Sequence, residues 1–427
     1  MPESTIKEVI GRRLWDSRGR PTVEVEVRLD SGATGRALAP AGASKGTGEA
    51  VDLRDGGSRF GGYDVTRAVA AVNGEIAARL RGLDGLDQEA VDDALVALDG
   101  TPTKARLGGN ALIAASMAVA HAGAAAAGVP LWQRLAENKQ PWLPMPEIQI
   151  FGGGAHAGRR VDVQDFMIIP VGAADYTESL DWCAEVYRSA GSLMAEAGLL
   201  QGVADEGGLW PAFQTNEEGL DMLVRSIERA GFRPGDQVAI SLDIAASEFG
   251  HAGRYRLNLE KRELESAAMA ALLGDWLRRY PIVAIEDPFS EDDEAGFVQF
   301  TRAAGSVAVV GDDFLVTSAD RIRRAAALGA CNTVLIKPNQ AGTLSETKAA
   351  FDAATAAGWS TIVSARSGET EDVTIVHLAV GWGAPILKVG SVTRSERLAK
   401  WNEGLRVAEA TGGRGSLPPK EAFPWNR

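Results

Sequence analysis

The sequence predicts an α/β protein: a (β/α)8 barrel of the TIM type with a smaller N-terminal α+β domain. Three observations predict it. Six strand-like runs in the second half end on or near polar residues fit for chemistry: Asp243, Glu286, Asp312, Lys337, Arg366 and Lys388. Their separations (43, 26, 25, 29 and 22 residues) each suit one strand plus one helix, and a parallel barrel gathers such strand ends at one mouth. The N-terminal part instead runs strands first and helices after, the order of an α+β unit.

The N-terminus MPESTIKEVIGRRLW lacks the long apolar core of a signal peptide. PTVEVEVRLDSGATGRALAP alternates about Asp30-Ser31-Gly32, which predicts two antiparallel strands and a turn. A Gly/Ala/Ser loop follows from Pro40 to Ala50. DVTRAVAAVNGEIAARLRG, QEAVDDALVALDG and NALIAASMAVAHAGAAAAG have helical spacing; the last, Ala-rich and containing His121, reads as a core helix and not a membrane span. Pro130 and the cluster Pro141, Pro144 and Pro146 mark a boundary, giving an α+β domain over 1–135 and a barrel domain over 140–427. From about Gln149 onward strands and helices alternate.

With 57 acidic against 44 basic residues the net charge is −13, which argues against nucleic acid or an anionic membrane as partner. An anionic substrate must therefore be captured by a local basic site. Cys183 and Cys331 form no CxxC and read as buried reduced thiols of a cytoplasmic protein.

Asp243, Glu286 and Asp312 are hard oxygen ligands on neighbouring strand ends, the donor type that Mg²⁺ takes. No His or Cys joins them, which argues against zinc. Singly, each acid is as readily a helix cap. Lys337 and Lys388 are aimed inward by a barrel; near metal ions and each other, their neutral form is favoured, as a general base needs. Singly, each is a salt-bridge partner. Arg366 and Ser367, in SARSGETED, suit a phosphate or carboxylate. His156 lies in FGGGAHAGRR among glycines suited to a closing lid. Glu206, in VADEGGLWP, precedes two glycines that would admit a ligand to the backbone, and Asp165 lies in VQDFMI. A Glu/Asp pair held close makes a proton donor of one member.

Together these residues resemble enolase, the phosphopyruvate hydratase family. The likeness runs nearly end to end through DSRGRPTVEVEV, GASKG, GGAHAG, ADEGG, LDIAASEF, IEDPFSEDD, GDDFLVTS, IKPNQAGTLSET, SARSGETED and KVGSVTRSERLAK, in family order. The resemblance implies a modified, enolase-type barrel whose first strands and helices depart from simple alternation, Mg²⁺ dependence, and a homodimer or ring of dimers. It implies that Asp243, Glu286 and Asp312 hold one Mg²⁺, and that substrate phosphate and Ser44 hold a second. Lys337 would remove the proton α to the carboxylate, Lys388 would stabilise the enolate, and Glu206, assisted by Asp165, would protonate the leaving hydroxyl. Arg366 and Ser367 would hold the phosphate, with His156 closing over it.

The chain departs from the family pattern in one pocket. Ala365 stands where the family has histidine, Asp165 where it has Glu, and Lys45 where it has Thr; Gln149 and Gly152 replace an asparagine-rich stretch, and Arg159-Arg160 follow the lid histidine. A missing side chain and added cations suggest a larger substrate with one more carboxylate. The expected substrate is thus a phosphorylated or phosphonylated carboxylate of the kind used by carboxyphosphonoenolpyruvate synthases, in phosphonate and phosphinate biosynthesis. Ordinary glycolytic enolase is the alternative, and a non-catalytic scaffold the third reading.

Overall fold

The computed structural model describes residues 3–136 and 141–426. The segment 137–140, on which the expected domain boundary falls, and residues 1, 2 and 427 lie outside the described residues.

Strands β1 (Ile6–Trp15), β2 (Pro21–Leu29) and β3 (Thr34–Leu38) form an antiparallel sheet in that order. β2 and β3 are the expected hairpin, and Gly32, at φ 88°, takes the left-handed position its turn requires. β1 escapes the alternation rule because a bulge between Ile6 and Glu8 and the run Gly11-Arg12-Arg13 break its pattern. The helical runs form over 66–80, Gln88–Asp99 and Gly109–Ala126. The last is long and apolar enough to cross a membrane, yet 83% of its apolar window is buried, mostly against β2 and β3.

The barrel strands are β4 (Met145–Gly152), β5 (Asp165–Ile169), β6 (Ala239–Asp243), β7 (Ile282–Glu286), β8 (Ala308–Gly311), β9 (Thr333–Ile336), β10 (Ser360–Ser364) and β11 (Ile386–Gly390). They pair in sequence order, and β11 closes on β4. All these pairings are parallel except those of β5, which runs antiparallel to both β4 and β6. Two helices, Tyr176–Glu196 and Asn216–Arg229, then precede β6. The barrel thus departs from simple alternation at its start, as the resemblance implies. Because β5 runs backwards, its first residue lies at the mouth: Asp165 is in register with Asp243.

Most outer helices bury one stripe, whereas Thr374–Trp382 is buried at all but its last residue. Ser266–Arg279 turns Met269, Leu273 and Trp276 inward at helical spacing, each full burial stabilising by about 1.5–3 kcal/mol. The N-terminal domain reaches over the mouth. Ala41 and Gly368 exchange backbone hydrogen bonds of 2.9 Å, and the Ala50 N–H donates to Gln340 O at 2.8 Å. Lys104 pairs with Glu346 at 2.5 Å. The loop bearing Ser44 and Lys45 is thereby held above the strand ends.

Candidate active site

Asp243 ends β6, Glu286 ends β7, and Asp312 and Lys337 directly follow β8 and β9; all are buried. Lys388, within β11, places Nζ 2.6 Å from Glu286 Oε2, 3.0 Å from Asp243 Oδ2 and 3.9 Å from Asp165 Oδ2. Lys337 Nζ donates to Asp312 Oδ2, and Gln340 Nε2 donates to Asp312 Oδ1 at 2.9 Å. The residues expected at one mouth form two buried ion-pair groups, Lys388 with Asp243 and Glu286, and Lys337 with Asp312.

Burial, and then the Asp243 charge, push the Glu286 carboxyl well above the usual carboxylate range. Burial alone would lower the two lysines. The Asp312 and Glu286 carboxylates together reverse this for Lys337, and Asp243, Glu286 and Asp165 reverse it for Lys388, so both are raised. Carboxylates and not cations are the nearest charges here, so the charged forms are favoured; the expected neutral lysine belongs to a mouth that holds metal ions. It requires those carboxylates to be engaged by another cation.

The donor set fits Mg²⁺: hard carboxylate oxygens, no His or Cys at these strand ends, and a Glu286 carboxyl that burial leaves short of positive charge. Gln164 extends it, with Nε2 on Asp243 Oδ2 at 3.1 Å and a buried, unpartnered Oε1. Among the described residues, two groups bring three ligand atoms within 4.8 Å of one another: His156 with Asp165 and Glu206, and Asp287 with Asp312 and Asp313. Asp287 is a shaping acid, since its carboxylate accepts the backbone N–H groups of Asp312 and Asp313 at 2.9 and 2.8 Å.

Beside Asp165, His156 sits in a 3₁₀ turn, Gly154–Ala157, and is buried. Its Nδ1 lies 2.9 Å from Asp165 Oδ1; its Nε2 lies 3.0 Å from Ser367 Oγ and 3.5 Å from Glu206 Oε1. Asp165 and Glu206 are thus held close with the imidazole between them. Burial alone would lower the imidazole, but Asp165 and Glu206 raise it to about 9. Burial would raise the Glu206 carboxyl, but the charges of His156, Arg397, Lys388 and Lys337 together outweigh it, holding Glu206 below its usual range. Near neutral pH the proton rests on His156. A group whose pKa rises on folding stabilises fully below its unfolded value and loses that contribution as pH rises through its folded value. The melting temperature of the metal-free protein is expected to fall between about pH 6.5 and 9, and His156→Gln to flatten that fall. An identical slope in the variant would remove the assignment.

Arg366 is buried, with Nη1 3.1 Å from both Glu49 Oε2 and Asn339 Oδ1, and Nη2 3.0 Å from the Ser44 carbonyl. Fully buried Arg397 supports the turn, donating to the carbonyls of Arg366 at 2.7 Å and Ser367. Ser44 is half-buried in the overlying loop. Ala365, only 6% exposed, brings a methyl group where its neighbours bring polar side chains.

Two expectations are corrected. Lys45 and Arg159 do not point their charges into the pocket: Lys45 pairs with Asp52 at 3.7 Å and Arg159 with Glu248 at 2.5 Å, both on exposed side chains. The glycines after Glu206 accommodate the protein and not a ligand. A Cβ at Gly208 would lie 2.4 Å from Gln149 Oε1, which accepts the Gly208 N–H at 2.8 Å, and Gly207 crowds Thr393. Gln149 also donates to Asp165. Sequence reasoning missed Glu49, Gln164, Asn339, Gln340 and Arg397. Glu49, Gln164, Asn339 and Gln340 lie within the motifs already singled out (GASKGTGEA, VQDF, IKPNQ) or directly extend them, and that adjacency is the signal that could have found them.

The family model for the enolase N-terminal domain matches residues 6–135, and that for the enolase C-terminal TIM barrel domain matches residues 140–422. The chain is 47% identical over 422 residues to Enolase 1 of Desulfitobacterium hafniense (strain Y51), spanning 98% of this chain and 97% of that protein. With two family models that together cover residues 6–135 and 140–422, and a 47% identical relative aligned over 98% of the chain, the chain belongs to the enolase family.

Proposed function

We propose that this chain is an Mg²⁺-dependent hydro-lyase that removes water from 2-phosphoglycerate to give phosphoenolpyruvate. The observation that carries it is the convergence of Lys337, Lys388 and three strand-end carboxylates on one buried mouth, with Arg366 and Glu206 at its rim. Asp243, Glu286 and Asp312 would hold Mg²⁺, which supplies Lewis-acid stabilisation of charge on the substrate carboxylate. Lys337 takes the proton α to that carboxylate, and Lys388 faces the negative charge that develops. Arg366 and Ser367 hold the phosphate, and Ser44 lies above it. The proton for the leaving hydroxyl passes through Glu206, which shares it with His156 beside Asp165. A cytoplasmic homodimer acting on a small phosphorylated carboxylate completes the reading.

This order of readings reverses the expectation from sequence. The specialised synthase needed Lys45 or Arg159 for an added carboxylate, and the outward ion pairs of both favour the smaller substrate. The name of the 47% identical relative supports the same choice. The specialised reading keeps one feature of the sequence, Ala365 where the family has histidine. With Mg²⁺, purified protein is expected to turn over 2-phosphoglycerate at about 1–10³ s⁻¹, followed by the ultraviolet absorbance of the enolpyruvyl product. Ala365→His is expected to leave that rate within about tenfold. Negligible turnover of 2-phosphoglycerate, with turnover of a carboxyphosphonate-bearing glycerate that Ala365→His abolishes, would restore the specialised reading.

A further inference from the structure

One buried acid at the mouth has no place in this chemistry. Glu147 lies in β4 and is the register partner of Lys388 across the seam that closes the barrel. It is 1% exposed. Its Oε1 accepts a hydrogen bond from Ser241 Oγ, and its Oε2 has no hydrogen-bond partner. Ser241 precedes Asp243 by two residues in β6, so it shares the inward face of Asp243 one step below the mouth. Glu147 therefore lies in the barrel interior just beneath the metal-binding acids. A buried carboxylate with an unpartnered oxygen is costly, and a fold tolerates it where a cation can compensate.

Lys388 is that cation. Its ammonium is spent on Asp243 Oδ2 and Glu286 Oε2 in this structure, the same carboxylates that a divalent ion would take. Once they turn to the ion, Lys388 stays buried beside it and needs a carboxylate that the ion does not share. Asp165 Oδ2 is 3.9 Å away and is likewise without a hydrogen-bond partner, but the Asp165 charge already balances the His156 imidazolium through Oδ1, which also accepts from Gln149. Glu147 has only a serine hydroxyl. Burial raises its carboxyl above the usual range against the opposing Lys388 charge, so the two groups already interact.

We propose that Glu147 is the counter-ion that receives Lys388 when Asp243 and Glu286 bind a divalent cation. It is a positioning residue: it holds Lys388 charged and in place beneath the substrate, and it lets the metal acids leave their lysine at lower cost. The proposal rests on the Mg²⁺ site of the reading above, and not on its substrate.

The test is calorimetric titration of Mg²⁺ into the full chain as wild type, Glu147→Gln, Lys388→Met and the double variant. Glu147→Gln is expected to weaken Mg²⁺ binding about tenfold or more, because a buried ammonium loses its partner. In the Lys388→Met background the same substitution is expected to change Kd by less than about twofold. An unchanged Kd in Glu147→Gln overturns the proposal. So does equal weakening in both backgrounds, which would mark a simple through-space charge effect. A crystal structure of wild-type protein with Mg²⁺ is a second test that no folding defect can confound. Lys388 Nζ at hydrogen-bond distance from Glu147 supports the proposal; Nζ still on Asp243 and Glu286, or on Asp165 alone, overturns it. Wild type that ignores 2-phosphoglycerate yet shows these Mg²⁺ responses would defeat the substrate reading alone. Turnover with a flat Kd series would defeat this one alone.

Discussion

Lys337→Ala is expected to lower kcat on 2-phosphoglycerate by about 10²–10⁴-fold while leaving KM within a few-fold. The split follows from the residue's place. Lys337 touches no group of the anion clamp; among its surroundings the side chain contacts Asp312, and its backbone N–H donates to Thr317. In the proposed reaction its chemical use comes when the α-proton moves, so its loss would fall on the transition state. The substitution also removes the ammonium from a buried carboxylate, for which breaking a pair costs about 3–5 kcal/mol. Asp312 keeps its bond to Gln340, which limits that cost. Steady-state rates should be taken where circular dichroism shows the variant folded. Added Mg²⁺ is expected to recover part of the lost melting temperature, because the freed acid gains a cation. A folded variant within tenfold of wild-type kcat would mean that another group is the base.

Much of this arrangement is legible in the chain, for a physical reason. Parallel barrel strands are buried on both faces, so they read as apolar runs, and the first polar residue after each run falls at the mouth. Glu286, Asp312 and Lys337 follow that rule, and Asp243 does so only after Ser241 within its own strand. Strand direction leaves no such trace. DFMII reads the same forwards or backwards, so the place of Asp165 at the mouth depends on a reversal of β5 that only the fold reveals. Glu147 stayed unread because it sits early in its strand, where an acid looks like ordinary alternation with an outward polar residue; the closed barrel turns it inward. Loop cations are the opposite case. Lys45 and Arg159 announce a charge but not its direction, and nearby acids, Asp52 and Glu248, decide that. A charge on a loop is therefore weaker ground for specificity than a charge at a strand end. The lysines carry a related lesson: the residue types point to a base, but the state of the base depends on what the surrounding carboxylates hold.

Arg366→Ala is expected to have two separable effects, one on stability and one on substrate. The guanidinium ties the overlying loop to the barrel through Glu49, Asn339 and the Ser44 carbonyl. Glu49 also accepts the Gly46 N–H at 3.1 Å and Gln340 Nε2 at 3.2 Å, so it would be left buried without its cation. Breaking such a pair costs about 3–5 kcal/mol, which a denaturant midpoint reads directly. The second effect is loss of the phosphate donor. A hydrogen bond to a charged group contributes roughly 1.5–3 kcal/mol, which corresponds to a KM increase of about 10- to 100-fold. The double variant Arg366→Met/Glu49→Leu separates them. With no stranded charge it is expected to regain much of the stability while keeping the raised KM. If stability and KM recover together, Arg366 acts on substrate only by holding the loop closed. If KM never rises, the anion clamp is assigned to the wrong residue.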